Sequence, residues 1–69
     1  MNELISFKEY LEGQKDYKRE ILRGIRTQVQ GKEEFNGLIS EYEGRIEELE
    51  SAIREIDDRI ERLRNSLNL

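Results

Sequence analysis

Sixty-nine residues, 41% of them charged and only 35% hydrophobic, with a net charge of −4, can close one thin core and no more. With no Cys and no His, the chain has no disulfide framework and lacks the commonest side chains for nucleophilic attack and proton exchange near neutral pH. A core in this size range rarely supplies more than ~3–5 kcal/mol, so association with another chain is the expected supplement.

No Pro interrupts the sequence, and its runs of Glu, Arg, Lys, Ile and Leu have the profile of long helices. The first predicted element is a helix over about residues 3–30. Carrying backwards the phase of the stronger second helix puts Leu4, Phe7, Leu11, Gln14, Lys18, Ile21, Ile25 and Gln28 on its inner seam. Polar residues weaken that seam, while Tyr10, Tyr17, Leu22 and Val29 widen the apolar stripe beside it, as suits a bundle helix with more than one neighbour. Gly13 opens a nearly apolar-free interval and is a candidate break in this helix.

A turn is expected over about residues 31–37. Gly31 follows the apolar Val29 as the best C′ candidate, and Asn36-Gly37 adds a turn signal. Ser40, with Glu43 three residues on, fits a capping box that would open the next helix. That second helix, about residues 38–67, carries the clearest signal: Ile39, Tyr42, Ile46, Leu49, Ile53, Ile56, Ile60, Leu63 and Leu67 are separated alternately by three and four residues. The fold class is therefore all-α, with residues 1–69 as a single helical domain. The expected architecture is a two-helix antiparallel hairpin that self-associates into a helical bundle. The alternative is one continuous helix of ~100 Å in a coiled coil.

Charge is unevenly spread, with −2 over residues 1–12, +4 over 13–32 and −6 over 33–69, a distribution that is complementary if the chain folds back on itself. Within the basic segment Lys15, Arg19, Arg23 and Arg26 lie along one helical face. Such a row could track a phosphate backbone; it is equally explained by pairing with acidic residues of the second helix.

Ser6, Ser40, Ser51 and Ser66 sit in no nucleophile elbow, and no glycine-rich phosphate loop or calcium-binding loop is present. Neither enzymatic activity nor a cofactor or metal is expected. No stretch approaches the roughly 18 apolar residues of a membrane span, and the charged beginning lacks the apolar block of a signal peptide, so a cytoplasmic protein without membrane contact is expected. The leading functional expectation is a non-enzymatic protein–protein interaction module, an adaptor, regulator or inhibitor that pairs with itself as a homodimer and with another protein. The alternative is a nucleic-acid-binding accessory protein using Lys15, Arg19, Arg23 and Arg26.

With the turn near residues 31–37, facing residue numbers add to about 67–68, which sets Leu4 opposite Leu63, Phe7 opposite Ile60 and Leu11 opposite Ile56. Gln14 and Lys18 then fall opposite Ile53 and Leu49, which they cover poorly. The expected self-association patch is therefore Tyr17, Leu22, Leu49, Ile53 and Ile56.

Overall fold

The chain reverses direction at Gly31, whose φ of +75° is a left-handed conformation that glycine adopts without steric cost. The computed structural model describes residues 2–67: helix α1 (Asn2–Gln28), a short 3₁₀ turn (Glu33–Phe35) and helix α2 (Asn36–Leu67). The corner is closed by the Val29 amide donating to the Ile25 carbonyl (2.9 Å), Lys32 to Val29 (3.0 Å) and Phe35 to Lys32 (3.2 Å). These bonds satisfy backbone groups that the helix ends would otherwise leave unpaired.

The molecule measures 56 × 14 × 12 Å, about half the length that a single continuous helix would reach, so the continuous-helix alternative is overturned. The two helices run antiparallel. Lys8 lies against Asp57, Arg19 against Glu50 and Arg26 against Glu43, pairs whose residue numbers add to between 65 and 69 and bracket the expected register.

Four local expectations are corrected. α1 ends two residues earlier than expected and α2 begins two residues earlier. Asn36 and Gly37 therefore belong to α2, and the turn needs only Gly31 as its special residue. Ser40 and Glu43 lie inside α2 and cap nothing; Glu43 instead pairs with Arg26. Gly13 does not break α1, which is continuous through it because neighbouring residues bury enough surface to offset its low helix propensity.

The core lies between the helices. Leu11, Ile53, Ile56 and Ile60 form its centre, with Leu4, Ile5, Leu49 and Ala52 packed against it, and Leu22 and Ile46 are buried nearer the turn. The inward row of α1 is thus Leu4, Lys8, Leu11, Lys15, Lys18, Leu22 and Ile25, continued by Val29 in the turn, all at least half-buried. This corrects the phase carried back from α2: at alternate positions the inner residue is one later than expected, and Phe7 is exposed where it should have met Ile60. The turn resets the phase, because nothing obliges two helices joined by a corner to share one heptad frame. Lys15 and Lys18 are tolerated on the seam because a lysine's aliphatic stem can lie along apolar surface while its ammonium stays wet.

Candidate interaction surface

A layer of only two helices has two open flanks, and here they differ in kind. On one flank α1 presents Ile5, Glu12, Arg19 and Arg26, each seven residues from the last, and α2 presents Glu43, Glu50, Asp57 and Arg64 at the same spacing. All three ion pairs between the helices close this flank: Lys8 Nζ to Asp57 Oδ1 at 2.6 Å, Arg19 to Glu50 at 2.5 Å, and Arg26 to Glu43. The hydrogen bond to Asp57 outweighs desolvation and, with the negative charges of Asp57 and Glu12, holds Lys8 above the usual lysine pKa of 10.5. Two open grooves on this flank are lined largely by these same charged side chains.

The opposite flank carries no ion pair between the helices among the described residues. Along it α1 sets Glu3, Phe7, Tyr10, Gln14, Tyr17, Ile21, Gly24 and Gln28, spaced alternately by four and three, with Glu3 the one charge of the row in a chain that is 41% charged. Phe7, Tyr10 and Tyr17 are 51%, 61% and 64% exposed, and Phe7 stacks on Tyr10 with ring centroids 6.4 Å apart. From α2 the same spacing brings Leu49, Ala52 and Leu63 to this side, with Ile56 buried in the core, edged by Arg45 and Arg59, which are paired within α2 to Glu41 and Glu55. α1 therefore has two heptad seams. One is filled by α2; the other faces outward.

The residues expected to form a self-association patch divide between inside and outside. Leu22, Ile53 and Ile56 are buried in the hairpin's own core and are unavailable to a second chain while it is closed. The reset phase of α1 turns Leu22 inward, and Ile53 and Ile56 are closed in one cluster with Leu11 and Ile60. Tyr17 remains exposed and Leu49 half-exposed. Sequence reasoning missed Phe7 and Tyr10 as surface residues; the signal that could have found them is the uncharged 3–4 spacing running through both.

Three of the four residues of the basic row are engaged within the chain: Arg19 with Glu50, Arg26 with Glu43 and Arg23 with Glu20. Lys15 is half-buried. The row is therefore split between the inner seam and the ion-paired flank and does not stand free as one basic strip. Among the described residues no group of three or more His, Cys, Asp or Glu is placed to hold a metal ion, and no helix is long and apolar enough to cross a membrane. No protein-family model, curated protein or solved structure matches the chain.

Proposed function

We propose that this chain is a non-enzymatic helical interaction module of the cytoplasm, which associates with itself and acts as an adaptor, regulator or inhibitor of another protein. The observation that carries this reading is the exposure of three aromatic side chains, Phe7, Tyr10 and Tyr17, along one uncharged stretch of α1 that ends at the half-buried Ile21. Aromatic side chains are expensive to leave in water and are enriched at protein interfaces, where they bury large areas at small entropic cost. The hairpin's own core supports the reading from the other side: among the described residues no large side chain is fully closed off from solvent. A marginal core gains stability by mass action when a partner binds the folded form.

Sedimentation equilibrium and thermal melts followed by circular dichroism, from micromolar to millimolar chain, test the proposal. The reading requires a mass above that of one chain and a melting midpoint that rises with concentration. A single-chain mass and a constant midpoint across that range would remove self-association from it.

A further inference from the structure

We propose that Asn36-Gly37 is a site of intramolecular deamidation, gated by the first turn of α2. The pair has the composition of a turn, yet it lies inside α2 and has no part in the reversal at Gly31. What it does bring together is a side-chain amide and the least hindered backbone nitrogen that can follow one.

In the reaction the Gly37 amide gives up its proton and its nitrogen forms a bond to Asn36 Cγ. The bond from Cγ to Nδ2 breaks, ammonia leaves with the proton, and a five-membered succinimide remains. Water then opens the ring at one of its two carbonyls. Attack at Cγ leaves aspartate in an ordinary main chain, whereas attack at the Asn36 backbone carbonyl routes the main chain through Cγ as isoaspartate. Nothing is oxidised or reduced, and water is the one co-reactant.

Sequence and structure select this pair together. Asn2, Asn65 and Asn68 precede Glu3, Ser66 and Leu69, whose side chains crowd the attacking nitrogen; Asn36 alone precedes glycine. Both Asn36 and Gly37 are exposed, and the Asn36 side chain makes no hydrogen bond among the described residues. The Gly37 amide is among the first of α2, which have no carbonyl partner within that helix.

The backbone supplies the gate. Asn36 sits at φ −62° and ψ −35°, with its own amide donating to the Glu33 carbonyl. Closing the ring needs a ψ well outside the helical range, so the pair reacts only in molecules whose first turn of α2 has opened. The rate therefore reads the stability of the corner.

The two products act on that corner in opposite directions. α1 has Glu3 in its first turn, whereas α2 has no acidic residue in its own. Aspartate at position 36 supplies one beside the positive end of the helix dipole. Isoaspartate lengthens the main chain by one carbon where the 3₁₀ turn passes into α2, and breaks the spacing of the hydrogen bonds there. An ageing chain thus divides into a tightened and a loosened hairpin, each with one negative charge more than the native −4.

Prolonged incubation in warm, mildly alkaline buffer tests this, with circular dichroism to show that the chain is helical and peptide mass mapping to locate each exchange of ammonia for water. The helical chain should convert at Asn36 before any other asparagine, and the chain unfolded in guanidinium chloride should convert there at least about tenfold faster. Gly37→Ala sets a methyl in open space at a residue without positive φ, so it should keep the fold while nearly abolishing the conversion. Asn36→Asp should raise the thermal midpoint of the hairpin, and the purified isoaspartate form should lower it. Conversion led by another asparagine, a Gly37→Ala chain that converts as fast as the native one, equal rates in the helical and unfolded chains, or a helical chain that never converts at Asn36 overturns the proposal.

Discussion

The two flanks of this hairpin are built from the same helices and differ by about half a helical turn, yet one is closed by charge and the other is left open with aromatic residues. On the closed flank, Arg19, Arg26 and Lys8 reach across to Glu50, Glu43 and Asp57 and set the register of the fold. Exposed pairs of this kind stabilise little, typically 0.2–1 kcal/mol each, but they discriminate between alternative registers. On the open flank Phe7, Tyr10 and Tyr17 set nothing inside the chain, since all three are more than half exposed. The difference teaches that register is set on one face while the proposed association is assigned to the other: substitution on one should leave the other's work intact.

The largest effect should come from the layer both flanks share. Ile53→Ala removes a buried side chain at the centre of the core and should cost about 2–4 kcal/mol, enough to unfold a hairpin this small at micromolar concentration. Far-ultraviolet circular dichroism would show loss of helicity. Tyr17→Ala, 64% exposed, should leave the helical signal of the dilute monomer nearly unchanged, so similar losses from both would erase the distinction between core and flank.

Glycine substitutions sharpen the comparison next. Gly31→Ala forces a side chain into the left-handed region at the corner and should destabilise by roughly 1–2 kcal/mol. Gly13→Ala and Gly44→Ala sit inside helices with open space where the new methyl would go, so each should stabilise by about 0.8–1 kcal/mol. Urea midpoints should move in opposite directions for the two kinds of site.

The smallest effects belong to the ion-paired flank. Arg26→Ala should cost no more than about 1 kcal/mol, because its bond to Glu43 is half exposed. Lys8 adds a pH dependence of known sign: with its pKa raised in the folded chain, its contribution is complete below pH 10.5 and fades as pH climbs through the folded value. Alkaline denaturation of Lys8→Met should therefore lack a small loss that the native chain shows above pH 10.5.

Much of this fold was legible in the sequence, and the exceptions share a cause. The α2 seam from Ile39 to Ile60 is apolar at every position, so its period reads directly onto the core. Leu63 and Leu67 belong to the same row but are exposed, Leu63 because it turns to the open flank and Leu67 because it lies at the level where α1 begins. In α1 the inner row holds Lys8, Lys15 and Lys18, and a charged seam is invisible to a search for apolar spacing. The eye then settles on Phe7 and Tyr17, which are apolar enough to resemble core and lie one step away on the wheel. Ser40 and Glu43 had the spacing of a cap but not its position, since the helix had begun at Asn36. The outward seam was hidden for the same reason, its aromatics having been assigned to the inside or to its margin.

The central claim is that association lives on the aromatic flank alone, and sedimentation equilibrium of three chains tests it directly: native, Tyr17→Lys and Arg19→Ser. The account predicts a self-associating native chain, a monomeric Tyr17→Lys that keeps its helicity, and an Arg19→Ser that associates as the native chain does. Native-like association of Tyr17→Lys, or its loss in Arg19→Ser alone, would contradict it.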